Sequence, residues 1–386
     1  MDNSYDSVKI GVRDILFYFV FIPFLYPRGF AEFNTGYKLF FTIWIWAAVV
    51  IIWMQFILHL IPLRLKINKT GFCLSLYFIL AILITIIKRD TISSGLQQMV
   101  ATPSLCVFII SNFEKYWRKI LDTLLNIFIV LFLLNGIFFR DYFDQYVHIG
   151  FFGHVQAMSQ IGLVAIFSAT LNYMLTKGRK LKTILLLILV AFTLFNTNAD
   201  SAVLVIVMLI VAGVIYKWRL YHLLCFKSKW YIVFGILMSV FFIYTTVNNL
   251  WSGLISDYTF SGRSFVWENA MSRISESYLF GFGIDGVLIK TFWTEWTGGG
   301  FNYAHNQILQ NLLDGGIVLC VAFFMMMFAY VSYIDKLEEK RFRVLSNAVL
   351  ISFFMVMIFD STTIYCYMYI FLTMLVKLPQ VVNEGR

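Results

Sequence analysis

Charge is what this 386-residue chain has least of: Asp, Glu, Lys and Arg make up only 13% of it, against 60% hydrophobic residues. With a mean hydropathy of +0.79, that scarcity excludes a water-soluble globule and points to an all-α polytopic membrane protein. The five cysteines, Cys73, Cys106, Cys225, Cys320 and Cys366, stand singly with no C-x-x-C or Cys/His spacing. Neither a disulfide framework nor a zinc site is indicated. There is no D-x-D, which removes the usual metal clamp for a nucleotide-diphosphate sugar, so no metal and no cofactor is expected. No ionisable residue falls in a mid-membrane relay of the kind an ion-coupled carrier uses. Lys9 and Arg13 precede an apolar run without a small-x-small cleavage signal, so that run reads as a retained first helix. No repeat, low-complexity linker or soluble domain interrupts the chain, which reads as one integral membrane domain, 1–386. The net charge of +9 sits in short clusters between apolar runs, the pattern of loops rather than of a nucleic-acid-binding face.

Runs of about 17–25 apolar residues mark spanning helices. Twelve are expected, at 10–27, 37–61, 71–87, 94–112, 120–139, 153–176, 181–197, 200–216, 230–247, 316–334, 343–358 and 360–377, the fourth interrupted by Pro103. With the N-terminus inside, twenty-two of the thirty Lys and Arg residues fall on the cytoplasmic side and eight outside. Lysine and arginine concentrate in cytoplasmic loops, and a single miscounted helix would invert every later cluster. Both termini are therefore expected in the cytoplasm, and the one long loop, 248–315, on the outer face. The 41 Phe residues read as lipid-facing filler and interface belt.

That loop is where chemistry is possible. Arg263 opens a stretch in which Val266, Trp267, Ala270, Met271 and Ile274 recur at helical spacing, and a guanidinium at the positive end of a helix invites an anion. Arginine's fork suits a diphosphate. Arg273, ten residues on, is a second candidate on another part of the same helix. Downstream, Asn302 is placed to cap an amphipathic helix with His305 in its first turn, beside Asn306. There the dipole disfavours the imidazolium and leaves a ring able to accept a proton. Gln307, Asn311 and Asp314 form a polar stripe opposite Ile308, Leu309, Leu312 and Leu313. Base, neighbouring amide and upstream arginine together suit attack of a hydroxyl on an activated phosphosugar. Gly281-Phe282-Gly283-Ile284-Asp285-Gly286 matches G-x-G-x-x-G, but no buried strand precedes it, so the glycines are read as a tight turn rather than a dinucleotide site. A second outer cluster holds Arg140, Asp141, Asp144 and His148, followed by Gly153-His154-Val155-Gln156 entering the membrane. Asp200 and Asp360 stand at outer helix ends, as caps or sugar contacts.

At these stretches the chain resembles the bacterial O-antigen polymerase and O-antigen ligase superfamily, membrane glycosyltransferases that act on undecaprenyl-pyrophosphate-linked glycans. The resemblance rests on Gly262-Arg263 with Trp267, on Leu279-Phe280-Gly281-Phe282-Gly283, and on His305-Asn306 followed by Leu309-Gln310 and Gly315-Gly316. Gly153-His154-Val155-Gln156 looks like a degraded upstream signature. The resemblance implies a polymerase of the inner membrane with its active site facing the periplasm. Arg263 would bind the donor pyrophosphate and His305 would activate the acceptor hydroxyl, with Arg140, Arg273, Asn306, Trp267, His154 and Gln156 as substrate contacts. Lipid-linked donor and acceptor, membrane lipids and a chain-length regulator are the implied partners; nucleic acid is not. Where many relatives carry a Ser-Arg pair, this chain reads Asn196-Thr197-Asn198-Ala199-Asp200-Ser201, so a second pyrophosphate-binding arginine is missing, a place Arg140 or Arg273 could take. The rival readings are a ligase that uses lipid A core as acceptor and a non-enzymatic flippase of lipid-linked oligosaccharide.

Overall fold

The computed structural model describes residues 11–60, 69–89, 94–139, 149–178, 180–197, 200–248, 250, 263–290, 300 and 303–384. The described residues are almost wholly helical, with one small hairpin, Ile149–Gly150 with Gly153–His154. In chain order the helices are α1 Val12–Phe24, α2 Thr35–Leu60, α3 Lys69–Lys88, α4 Ser94–Leu133, α5 Ala157–Thr176 and α6 Lys180–Phe195. They continue with α7 Asp200–Lys217, α8 Ser228–Val247, α9 Arg263–Glu276, α10 Gln307–Val331, α11 Lys340–Phe359 and α12 Tyr367–Glu384. Among the described residues, seven helical stretches are long and apolar enough to cross a membrane, and the apolar run Ser201–Lys217 is shorter. Helices α1 and α6, at 13 and 16 residues, fall short of the roughly 20 a bilayer core demands.

Each expected span overlaps a helix, but the last is displaced from 360–377 to Tyr367–Glu384, and two further adjustments are larger. The fourth and fifth are joined as α4, which runs through Pro103 and breaks instead at Tyr116 (φ −123°, ψ 23°). A proline inside an apolar helix is tolerated when neighbours satisfy the freed backbone groups. The chain doubles back at Tyr116. Gln98 donates to the Thr363 carbonyl at one end of the bundle, Lys119 and Glu114 pair with Asp14 and Lys377 at the other, and Phe139 returns to stack on Phe151. The second adjustment concerns α10, which starts at Gln307 rather than near 316.

The two ends of the bundle differ in chemistry. One carries Lys119, Lys377 and the Arg343–Asp335 pair at 3.2 Å. The opposite end gathers the hairpin, the 3₁₀ turn Arg28–Glu32, the start of α10 and the end of α11. Helix α12 is buried on nearly all sides from Cys366 to Leu375 and α2 mostly faces outward. A helix apolar all round belongs at the centre of such a bundle.

The glycines explain how the polar stretch is held against it. Helix α10 is interrupted at Gly315 and Gly316, the latter with φ +63°. The backbone groups bared by that break pair with the turn after α9. Phe282 N donates to Leu313 O at 2.8 Å, Gly283 N to Asp314 O at 2.9 Å, and Ile317 N to Tyr278 O at 2.8 Å. A Cβ on Gly316 would overlap the Leu279 and Phe280 backbone, and one on Gly281 (φ +58°) would meet Leu313 and Gly315. The two glycine motifs are two sides of one backbone contact, which is why the G-x-G-x-x-G match needs no nucleotide. Gly316→Ala is expected to lower stability by about 2 kcal/mol or more, from positive φ and overlap combined; thermal unfolding of purified protein in detergent measures it.

Candidate active site

Helix α9 buries Arg263, Val266, Trp267, Ala270 and Ile274; of the expected face only Met271 turns outward. With Ile243, Ile289, Ala304, Leu309 and Leu313 this face forms a small separate core at the end of the bundle. Trp267 is fully buried and its indole N–H donates to Ala304 O at 3.0 Å. From the other side Ala304 N donates to Gln310 Oε1 at 2.8 Å. The residue before His305 is thus gripped from two elements, and Trp267 is a positioning residue rather than a substrate contact.

Asn306, not Asn302, caps α10. Its side-chain oxygen accepts from Ile308 N and Leu309 N at 2.9 and 3.1 Å, and its amide nitrogen donates to Ser239 Oγ and Ile358 O at 3.1 and 2.9 Å. The amide is fully committed and completely buried, so Asn306 also positions rather than binds. His305 lies one residue outside the helix, in the left-handed region at φ +51°, a conformation His adopts more readily than most side chains. Asn302 lies outside the described residues. Of the stripe Gln307, Asn311 and Asp314, the first two are buried and Asp314 is partly so: Gln307 receives Thr363 N at 3.0 Å and so ties α10 to the turn after α11.

The centre of the site is Gln156. A guanidinium only donates, so the Gln156 amide oxygen faces Arg263 Nη2 at 2.7 Å. Its nitrogen then donates to Asp360 Oδ1 at 3.0 Å and to His305 Nδ1 at 3.3 Å. The reverse orientation would set nitrogen against guanidinium and oxygen against carboxylate. Gln160, one turn further along α5, donates to Asp360 Oδ2 at 2.8 Å. Asp360 and Arg263 are only 4% and 5% exposed. Burial pushes the Asp360 carboxyl up to about 7, against the opposing pull of the Ser361 and Gln160 hydrogen bonds and the Arg263 charge.

Around the His305 ring stand Tyr303, with ring centres 4.3 Å apart, and His154 at 6.1 Å. Burial likewise raises Tyr303, and raises Tyr365 to about 12. His154, Tyr303 and Asp360 form one wall of a cavity of about 630 Å³ whose other walls include Arg28, Lys38 and Asp314. Of the expected residues the fold therefore unites Arg263, His305, His154 and Gln156. Arg273 is left out: it is exposed, pairs with Glu276 at 3.1 Å, and sits about 15 Å along α9 from Arg263 at 1.5 Å per residue. Arg140, with Asp141, Asp144 and His148, lies outside the described residues, as does the Asp200 side chain. Sequence reasoning passed over Tyr303, Arg28 and Gln160. The four-residue step from Gln156 to Gln160, which puts two amides on one helical face, was the available signal for the last.

Residues 185–324 match the family model described as O-antigen ligase. The match, over about a third of the chain, supports the kinship with the O-antigen ligase and polymerase superfamily read from the motifs, and with the apolar helices it points to a multi-pass membrane protein. It takes in Arg263 and His305; His154, Gln156 and Asp360 lie outside it. No curated protein matches the chain.

Replacing Asn306 with Ala removes the cap of α10, worth about 1 kcal/mol, and strands buried partners worth roughly another 1–3 kcal/mol. Asn306→Ala should therefore unfold at clearly lower temperature than wild type in detergent, whereas Arg273→Ala should not.

Proposed function

We propose that this relative of the O-antigen ligases is a surface-polysaccharide polymerase. It transfers a growing glycan from one lipid diphosphate to a sugar hydroxyl of an incoming lipid-linked repeat unit. The observation that carries the reading is the convergence of a buried guanidinium, an imidazole and a carboxylate on one amide, Gln156, beside a cavity large enough for sugar units. Arg263 offsets charge gathering on the departing diphosphate. The acceptor hydroxyl attacks the anomeric carbon as the bond to the diphosphate breaks, and its proton must go to a nearby base.

Two groups share that proton traffic. Because His305 Nδ1 accepts from Gln156, an uncharged ring carries its hydrogen on Nε2 and meets a reacting oxygen as a donor. On this reading His305 does not act as the base by itself. Asp360, on the cavity wall, has a carboxylate basicity suited to receiving the proton near neutral pH, while His305 steadies the oxygen. His154, Tyr303 and the Gln156 amide shape the pocket around them.

The arrangement of charge supports a site on the outer face of the inner membrane, since Lys119, Lys377 and Arg343 gather at the opposite end of the bundle. The twelve-span topology and the loop 248–315 facing the periplasm fit this orientation. The ligase reading has one specific support, the description of the matching family; it differs only in using lipid A core as acceptor.

Purified protein incubated with lipid-linked repeat units should build a ladder of longer glycans. Arg263→Gln and His305→Ala should each slow that by about 100-fold or more, and Arg273→Ala, which breaks only an exposed pair, should run at roughly the wild-type rate. Ladders that survive both site substitutions overturn the assignment, and transfer to core without any ladder favours the ligase.

The pH dependence follows from Asp360. Its carboxyl must be ionised to take a proton, so the rate should rise as pH climbs through about 7 and level off above. A pH–rate profile of Asp360→Asn should show a low rate without that rise; a rise that persists in the variant removes Asp360 as base.

A further inference from the structure

Arg28 is a cation that the chemistry above does not use. It is half-buried in the 3₁₀ turn after α1 and lines the same cavity as His154, Tyr303 and Asp360. Its guanidinium lies over the Tyr365 ring at 4.8 Å and near Tyr26 at 5.9 Å. Stacking engages the face of the group and leaves its five N–H donors pointing outward in its plane. Among the described residues no carboxylate pairs with it, although Glu32, Asp285, Asp314 and Asp360 all border the cavity. A partly desolvated guanidinium held over neutral rings, with its donors unspent, calls for an oxyanion.

Its setting is rigid. Gly29 N donates to Phe151 O at 3.0 Å, and the Arg28 Cβ lies so close to Gly153 that an added methyl there would stand 3.2 Å away. The hairpin that carries His154 therefore fixes Arg28 as well. Lys38, at the head of α2, reaches the same cavity from the exposed side. Arg263 is not among the residues that line this cavity: it reaches Asp360 through Gln156, whereas Arg28 stacks on Tyr365. The pair accordingly addresses two different anionic groups rather than two halves of one.

We propose that Arg28, assisted by Lys38, is a second anion subsite that holds the diphosphate of the incoming lipid-linked acceptor while Arg263 holds that of the donor. This rests on the polymerase reading, in which both substrates bring a diphosphate; a core acceptor would leave the subsite empty.

Farnesyl diphosphate titrated calorimetrically into the purified full chain, with farnesol as the control for apolar binding, tests it without turnover. Wild type should bind two diphosphates per chain; Arg28→Gln should lose one of them and Arg263→Gln the other. Arg28→Lys keeps the charge but not the fork or the stacking, and should retain the second site with roughly tenfold weaker affinity. An Arg28→Gln protein that melts like wild type and still binds two overturns the subsite. Absence of glycan lengthening alongside two-site binding overturns the polymerase reading instead.

Discussion

The site depends on one neutral amide. Arg263 has nothing but donors to offer, so the oxygen of Gln156 must face it, and the nitrogen is thereby committed to Asp360 and His305. Four elements meet there: the start of α5, the start of α9, the residue ahead of α10 and the end of α11. In surroundings of low polarity an amide left facing the wrong way would cost the desolvation of both its ends. The orientation is therefore dictated, and with it the side of the His305 ring that accepts and the side that donates.

That amide is useful only because backbone contacts bring the four elements together. Helix α10 is broken at Gly315 and Gly316, and the turn 278–283 occupies the break with main-chain hydrogen bonds. Within a membrane-embedded bundle an open helix break is expensive unless protein fills it. Here the filler is the chain that leaves α9, so satisfying the break also fixes the helix that begins with Arg263. At the other end of the same segment Asn306 saturates its amide on α8, α11 and its own helix, and Trp267 holds Ala304. His305 is confined between these anchors in a backbone conformation few side chains adopt unforced.

Much of this was legible in the residues, and what was not has physical causes. Hydropathy located the long apolar helices because lipid demands long apolar runs; it could not see that α4 passes Pro103 and turns at Tyr116, since that depends on neighbours. The face of α9 was readable from helical spacing, and Arg263 and His305 from their isolation in a chain poor in charge. The cap was misplaced by four residues because Asn302 and Asn306 are chemically identical candidates, and only packing against Ser239 and Ile358 separates them. Arg28 and Asp360 join His154 and Gln156 across more than a hundred residues of sequence. No local pattern encodes such a pairing, so Arg273, close to Arg263 in sequence, looked the better second cation. Helix geometry carries it away; tertiary packing brings Arg28 in.

The use of a glutamine between Arg263 and Asp360, where a direct ion pair would be simpler, has an electrostatic consequence. In contact, the two charges would neutralise one another, and in a poorly polarisable site the attraction would be strong. The guanidinium would then have little field left for a diphosphate, and the carboxylate would become a weaker base. A neutral amide interposed at 2.7 and 3.0 Å satisfies one donor and one acceptor while keeping the two charges out of direct contact. Burial then lifts the carboxyl towards neutrality, and the cation keeps most of its pull on an incoming anion. A direct salt bridge would leave the two charges spent on each other, the poorer arrangement for the transfer proposed above.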